Sequence, residues 1–268
     1  MSTNPASFEA VPFKGDFAHN VASAGEIGFD GVELAVRDPR AIDQDWILKT
    51  VSDAGMVIPA IGTGQAWGEE GLSFTDPDPG VRAEAVRRVF LHLEFAAKAG
   101  ALVIIGLLRG KLKPGADEKS ARDWMYSAFC RCCGEAEKQG VKIAVEPINR
   151  YETSLLNTVD EGLAFRDMVG SPNLGLLLDT FHMNIEETSL EESIRLAGRR
   201  IFHFHYADSN RWYPGAGHLD FSSILDALRS TGYAGFLSGE HRSDPEPLIA
   251  AGRGFLAIRD SLARLDAG

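Results

Sequence analysis

Short apolar runs alternate with longer amphipathic runs along the chain. The apolar runs are rich in Val, Ile, Leu and Phe, which is typical of strands that are buried on both faces. No linker-like segment interrupts the alternation, so one domain over residues 1–268 is expected. Eight runs are predicted as strands, over residues 8–13, 31–36, 57–64, 102–110, 141–149, 174–183, 201–209 and 235–241.

The runs between these strands have helical spacing. In one of them, Val86, Val89, Leu93 and Ala97 recur at intervals that place them on one helical face. Several runs stop at a glycine just before a strand, and glycine readily takes the left-handed conformation that ends a helix. Eight strand–helix units in 268 residues predict the α/β class and a (β/α)8 TIM barrel. An open doubly wound sheet fits less well, because no Gly-rich phosphate turn follows the first strand.

Ionisable residues stand near the carboxyl ends of the last four predicted strands. They are Glu146, Asp179, His205 and Glu240, and in a barrel these ends surround the mouth that carries the active site. One such carboxylate alone more often caps a helix or joins an ion pair, but four on successive strands indicate a shared cation that neutralises the buried charge. Oxygen ligands with one imidazole suit Mn²⁺, Mg²⁺ or Co²⁺. We expect a divalent ion here, with Mn²⁺ as the first choice.

Composition narrows the classes of partner. The net charge of −11 disfavours nucleic acid and anionic membranes, which normally attract a basic surface. No apolar run approaches the ~20 residues that span a bilayer. The first residues show no secretory signal, so a cytoplasmic location is expected. Cys130, Cys132 and Cys133 lie too close on one helix to converge on a metal, and they are interpreted as packing thiols of a reducing compartment.

Four segments carry a resemblance to a known family, namely VEPINRYE, LLLDTFHMNIEE, HFHYADSNRWYPGAGHLDF and GEH. With them the chain resembles the xylose-isomerase-like barrel superfamily, and within it the ketose 3-epimerases of the D-tagatose/D-psicose group. The resemblance covers nearly the whole chain. The segment over residues 8–20 departs from the family pattern, because it lacks the aromatic-rich first loop that shapes the far end of the sugar site.

The resemblance implies roles for seven residues. It makes Glu146, Asp179, His205 and Glu240 the metal ligands, and it makes Glu146 and Glu240 the acid/base pair as well. It implies that the sugar is held by Glu152, His182 and Arg211. It also implies a homo-oligomer, since relatives are commonly dimers or tetramers.

The chemistry of such a site is consistent with these roles. Epimerisation beside a ketone needs a base on one face of C3 and an acid on the other, and two glutamates flanking the sugar would supply them. A divalent metal that chelates O2 and O3 would stabilise the enediolate. Asp179 and His205 would then hold the ion without exchanging protons with the substrate. The expected activity is C3 epimerisation of a ketose or a ketose phosphate.

Further candidates surround this group. His203 shares a strand face with the predicted ligand two residues later, so it is either a residue that orients that ligand or part of a filled barrel layer. Trp67 and Trp212 are loop aromatics suited to covering the sugar or to simple packing. His218 could line the mouth or cap the following helix. Glu33 fits a polar network of the barrel better than the metal shell.

The same scaffold allows other functions. Aldose–ketose and hydroxypyruvate-type isomerases move a proton between neighbouring carbons, although His205 stands where a hydroxypyruvate isomerase would have glutamine. An inosose-type dehydratase would use the enolate for elimination. The related abasic-site endonucleases need more histidine ligands and a basic groove, which the net charge disfavours. A non-catalytic metal-binding module would close its ligand shell, whereas Glu152, His182 and Arg211 around an accessible mouth indicate catalysis.

Overall fold

Seven parallel strands form one curled sheet within residues 1–3, 13–113 and 115–267, the part of the chain that the computed structural model describes. Each strand pairs in parallel with the next one along the chain, so all their carboxyl ends meet at the same edge. Ser2 adds an isolated parallel bridge to Ala35 beside the first strand. The strands are β1 (Leu34–Ala35), β2 (Ala60–Gly62), β3 (Leu102–Ile105), β4 (Ile143–Val145), β5 (Leu174–Asp179), β6 (Ile201–Tyr206) and β7 (Leu237–Gly239).

Helices connect the strands and cover the outer face of the sheet. Many begin at an Asp, Ser or Thr whose side chain accepts a hydrogen bond from the first turn, as Asp117 does from the N–H of Ser120. The helices before β3 and β4 end at Gly100 and Gly140. The φ angles of these residues are 68° and 67°, a left-handed conformation that only glycine adopts freely. The helices are α1 (Phe17–Ile27), α2 (Gln44–Asp53), α3 (Gly64–Glu70), α4 (Pro79–Ala99), α5 (Glu118–Gln139), α6 (Val159–Val169), α7 (Thr180–Glu186), α8 (Leu190–Ala197), α9 (Phe221–Ser230) and α10 (Pro247–Ala267), with short 3-10 turns at Pro39–Ala41, Leu107–Arg109 and Gly198–Arg200.

The observed strands match seven of the eight predicted runs, but they are shorter. The predicted run over 57–64 contains only Ala60–Gly62 as strand, and the run over 174–183 ends at Asp179, where α7 begins. The apolar pattern overshoots because it continues into helix and loop residues that are also buried. The predicted first strand, residues 8–13, lies outside the described residues except for Phe13, which is not in a strand.

The main core lies between the sheet and its helices. Every residue of β5 is buried, as the unbroken apolar run predicts. Cys132 and Cys133 are buried in this core, and burial raises the pKa of both thiols, so they remain protonated and pack as apolar groups. None of the described helices combines the length and the apolar character needed to cross a membrane.

Candidate active site

Four strand ends bring the predicted metal ligands together. Asp179 is the last residue of β5 and pairs in register with His205 of β6, while Glu146 follows β4 and Glu240 follows β7. Each of the four offers one ligand atom, and these four atoms all lie within 4.8 Å of one another. We call these residues the quartet. Groups up to 94 residues apart in the sequence therefore converge because the strands are parallel and adjacent.

The donor set of the quartet fits a divalent cation. Among the described residues, Glu146 Oε1, Asp179 Oδ2 and His205 Nδ1 are buried atoms without a hydrogen-bond partner. Burying such atoms unpaired is costly, and three of them in one cluster fit a shared cation as their partner. Three carboxylates and one imidazole form a hard to borderline ligand set, which suits Mn²⁺, Mg²⁺ or Co²⁺.

Asp179 serves the helix and the quartet with different oxygens. Its Oδ1 accepts a hydrogen bond of 2.8 Å from the N–H of Phe181 and caps α7, which leaves Oδ2 for the quartet. The residue is fully buried. Burial, and then the negative charge of Glu240, raise the pKa of Asp179 to about 7. A cation bound at Oδ2 would offset both effects.

The two glutamates of the quartet differ in proton affinity. Burial, and then the charge of Glu240, raise the pKa of Glu146 well above its usual range. Burial acts in the same sense on Glu240, but His205 and Arg211 outweigh it and lower its pKa to about 2.

A second polar cluster lies behind His205. Its Nε2 donates to Glu33 Oε2 at 3.0 Å, and the same oxygen accepts from His203 Nε2 at 2.7 Å. His203 Nε2 also lies 2.9 Å from Ser238 Oγ. Burial acts to raise the pKa of Glu33, but the two histidines hold it well below its usual range. Glu33 and His203 thus belong to a polar network that fixes the ring of His205, and His205 Nδ1 faces the quartet.

A cavity of about 730 Å³ opens above the quartet. Glu152, His182, Arg211 and Trp67 all line it, so four more of the predicted site residues face the same space. Lys111 Nζ lies 5.5 Å from the ring centroid of Trp67.

Arg211 crosses the cavity from one carboxylate to another. Its Nη1 donates to Glu152 Oε1 at 3.1 Å and its Nη2 donates to Glu240 Oε2 at 2.8 Å. The guanidinium carbon lies 4.6 Å from the centroid of the Phe181 ring, a cation–π contact that helps to hold the side chain in place. The residue has a φ of 63°, an uncommon backbone conformation for an arginine.

His182 reaches the quartet from the first turn of α7. Its Nε2 lies 3.6 Å from Glu146 Oε1 and 3.9 Å from Asp179 Oδ2. Its Nδ1 lies 2.7 Å from Asn149 Nδ2, which also donates to Glu152 Oε1 at 3.0 Å. Sequence reasoning missed Asn149, although it stands in the VEPINRYE segment three residues before Glu152.

Two of the further candidates lie away from the cavity. Trp212 is 40% exposed, and His218 is exposed with its Nδ1 2.9 Å from Ser209 Oγ. Neither is among the described residues that line the cavity. The carboxylate of Asp208 accepts backbone N–H groups of this loop and so stabilises its conformation. The cap of α9 is Asp220 rather than His218.

Gly106, which sequence reasoning also missed, makes room for Glu146. A Cβ atom at this position would lie 2.6 Å from Glu146 Oε2 and 3.3 Å from Ile148 Cδ1. The sequence signal is weak, because one glycine after an apolar run resembles any strand terminus.

A curled sheet of parallel strands with a cluster of candidate metal ligands at its carboxyl ends is typical of TIM-barrel proteins that bind a metal there. The chain belongs to the xylose isomerase-like TIM barrel family, whose model matches residues 21–259.

Relatives within this family agree with that assignment. The chain is 34% identical over 235 residues to an L-ribulose 3-epimerase of Mesorhizobium japonicum, a match that covers 87% of this chain and 78% of the relative. It is 33% identical over 233 residues to a D-psicose 3-epimerase of Enterocloster bolteae, covering 82% and 75%. The crystal structure of a D-allulose 3-epimerase from Methylomonas sp. in complex with D-allulose has a TM-score of 0.83 at 28% identity, covering 94% of this chain and 95% of that one. These matches confirm the barrel fold and the family predicted from the sequence, and the relatives are isomerase-class enzymes.

Proposed function

We propose that this chain is a divalent-metal-dependent ketose 3-epimerase and that residues 1–268 act as one domain. The observation that carries the proposal is the quartet. Three of its potential metal-ligand atoms are buried without a hydrogen-bond partner at the base of an open cavity. The named activities of the relatives support the reaction type, since they include L-ribulose and D-psicose 3-epimerases.

Glu146, Asp179, His205 and Glu240 would hold the cation. Bound there, the cation supplies Lewis-acid stabilisation for negative charge that develops on substrate oxygens. Mn²⁺ is the first choice because the ligand set lacks thiolates and contains one imidazole, and Mg²⁺ or Co²⁺ would also fit.

Glu146 and Glu240 carry the proton transfer in this proposal. They follow β4 and β7, with β5 and β6 between them, so a sugar above the quartet lies between their carboxylates. The ionised carboxylate takes the proton from C3, and the C–H electron pair enters the enediolate. The other residue, as a carboxylic acid, donates a proton to the opposite face of C3. Reversing the roles returns the first epimer, so one site serves both directions.

Glu152, His182 and Arg211 hold the hydroxyl groups of the sugar. A carboxylate, a ring N–H and a guanidinium along one wall offer both acceptors and donors for hydroxyls. Trp67 adds an apolar face at the mouth of the cavity.

The charge of the cavity favours a ketose without a phosphate. Five carboxylates occur among its described lining residues, against the guanidinium groups of Arg211 and Arg242. Arg211 is bridged between two carboxylates, and Arg242 Nε donates to Asp244 Oδ2 at 2.9 Å. A phosphate dianion would enter a region of negative potential and compete with these ion pairs.

We also propose that the protein is cytoplasmic and forms a homo-oligomer, either a dimer or a tetramer. The buried protonated thiols are consistent with a reducing compartment. Size-exclusion chromatography with light scattering measures the oligomeric state directly.

Proton NMR in D₂O tests the proposed reaction. The protein is stripped of metal, reloaded with Mg²⁺, and mixed with D-psicose, D-fructose, D-tagatose, L-ribulose or their phosphates, with a parallel Mn²⁺ turnover assay. We expect deuterium to enter at C3 as the C3 epimer appears, for a free ketose in preference to its phosphate. Exchange at C1 with an aldose as product would replace the proposal with an aldose–ketose isomerase. The absence of exchange from the whole panel despite bound metal would overturn it.

A further inference from the structure

Asn149 is a buried amide that contacts three groups of different hydrogen-bonding character. It is 1% exposed and lies in the loop between β4 and α6. Its Oδ1 lies 3.0 Å from the backbone nitrogen of Tyr151, and its Nδ2 lies 3.0 Å from Glu152 Oε1. Its Nδ2 is also 2.7 Å from His182 Nδ1.

These partners allow only one orientation of the amide. The N–H of Tyr151 can only donate, so it requires the amide oxygen beside it. An ionised Glu152 can only accept, so it requires the amide nitrogen. A flipped Asn149 would place two donors against each other and two acceptors against each other.

The orientation of Asn149 then determines the proton position on His182. The amide nitrogen has no acceptor lone pair, so the contact of 2.7 Å is a hydrogen bond in which Nδ2 donates and His182 Nδ1 accepts. Nδ1 therefore carries no proton, and the neutral ring carries its proton on Nε2. That N–H points toward the quartet, since Nε2 lies 3.6 Å from Glu146 Oε1 and 3.9 Å from Asp179 Oδ2.

We propose that Asn149 is a positioning residue that fixes His182 as the Nε2–H tautomer and so directs a hydrogen-bond donor at the substrate oxygen beside the reacting carbon. The same amide holds Glu152, so one residue sets both a donor and an acceptor of the sugar wall. The part of this inference that concerns the sugar rests on the proposed function, whereas the tautomer is a property of the protein alone.

The tautomer is measured by long-range ¹H–¹⁵N NMR on the uniformly ¹⁵N-labelled, Mg²⁺-loaded protein. The chain has seven histidines, so the signals of His182 are assigned by their loss in His182→Gln. We expect an unprotonated Nδ1 and a protonated Nε2. A protonated Nδ1 in the wild-type protein would overturn the proposal, and this arm needs neither a substrate nor a variant of Asn149.

Asn149→Asp reverses the tautomer with almost no change in shape. A carboxylate accepts where the amide donates, so Nδ1 becomes the protonated nitrogen and Nε2 presents a lone pair to the quartet. One donor at a developing oxyanion is worth about 10²–10³ in rate, so we expect kcat/KM for the best ketose to fall about 100-fold or more. Asn173→Asp is the matched control, because Asn173 precedes β5 at the opposite edge of the sheet and should leave the His182 signals and turnover unchanged.

The double variant Asn149→Asp/Glu152→Gln separates the tautomer from the added charge. It restores the wild-type charge of the loop and should still show the reversed tautomer, with kcat/KM below that of Glu152→Gln alone. An unchanged tautomer in Asn149→Asp, or wild-type kcat/KM with a reversed tautomer, would overturn the proposal. If the wild-type protein shows the expected tautomer but epimerises no ketose, the proposed function fails and the part of the inference that concerns the sugar fails with it.

Discussion

Glu33 and His205 are joined by a hydrogen bond of 3.0 Å between Oε2 and Nε2, across 172 residues of sequence. The bond leaves Nδ1 of His205 as the nitrogen that faces the quartet, 3.8 Å from Glu240 Oε2. A carboxylate behind a metal-binding histidine fixes its ring orientation and raises its basicity. Glu33 therefore supports a member of the quartet through His205 and is not itself one of those four residues.

Replacing Glu33 with glutamine should weaken metal binding. Glu33→Gln removes the negative charge that supports two histidines, and such changes cost about 10–100-fold in metal affinity. Competition with a chelator measures the Kd for Mn²⁺ in the variant and in wild type. Glu26→Gln, an exposed change on α1, is the control. Equal affinity in Glu33→Gln and wild type would show that the His205 ring is fixed by packing alone.

The two glutamates of the quartet should be required for turnover rather than for folding. Glu146→Gln and Glu240→Gln keep the shape of each side chain but remove its ability to exchange a proton. General acid–base catalysis contributes about 10²–10⁴-fold, so each variant should lose at least that much kcat. Deuterium exchange at C3 measures the loss, and urea unfolding measures the folding of the same samples. Wild-type turnover in either variant would contradict the two-carboxylate mechanism.

The metal-free protein should lose stability as the pH rises past the ordinary pKa of an aspartate. The pKa of Asp179 is raised from 3.8 to about 7 when folded, so the folded state binds the proton more tightly than the unfolded state does. Its charged form therefore opposes folding increasingly between about pH 4 and pH 7, at ~1.4 kcal/mol per pKa unit as an upper limit.

Asp179→Asn isolates this effect, because its side-chain oxygen can still cap α7. Without metal, the free energy of unfolding of the variant should exceed that of wild type by a margin that grows from pH 4 to pH 7. Excess Mn²⁺ should reverse the order, since only wild type keeps the full ligand set. Urea unfolding at a series of pH values, with and without Mn²⁺, measures both. A margin that stays constant with pH would contradict the assigned burial of the charge.

The quartet could be predicted from the sequence because each member ends an apolar run. Parallel strands align their carboxyl ends, so Glu146, Asp179, His205 and Glu240 had to meet if the strand assignments were right. Glu33 lies within the predicted run over 31–36 and directly before β1, and nothing local distinguishes a ligand from a residue that supports a ligand. Only the folded sheet, which brings the segment before β1 close to β6, places the Glu33 oxygen beside His205.

Strand ends and amide networks could not be predicted in the same way. The predicted run over 174–183 continues past Asp179 into residues that are mostly buried, yet the strand stops at Asp179 because its carboxylate caps α7. The role of Asn149 depends on three partners that come together only in the folded loop. The spacing of apolar residues along the sequence indicates which positions are buried, but it does not indicate which polar groups form hydrogen bonds with one another.

Gly106 should be required for the geometry of Glu146 and not for folding. In Gly106→Ala the new Cβ would lie 2.6 Å from Glu146 Oε2, so the carboxylate at the end of a flexible side chain must move. That movement costs little in folding but displaces a member of the quartet, and small misplacements of a reacting group can cost about 100-fold in rate. We therefore expect kcat and Mn²⁺ affinity to fall together while the midpoint of urea unfolding stays near that of wild type.

Gly134→Ala is the matched control, because Gly134 lies on the exposed side of α5 with no atom within 4 Å of the added Cβ. It should gain up to about 1 kcal/mol in stability with unchanged turnover. Full turnover in Gly106→Ala would mean that Glu146 reacts from a position other than the one the quartet defines.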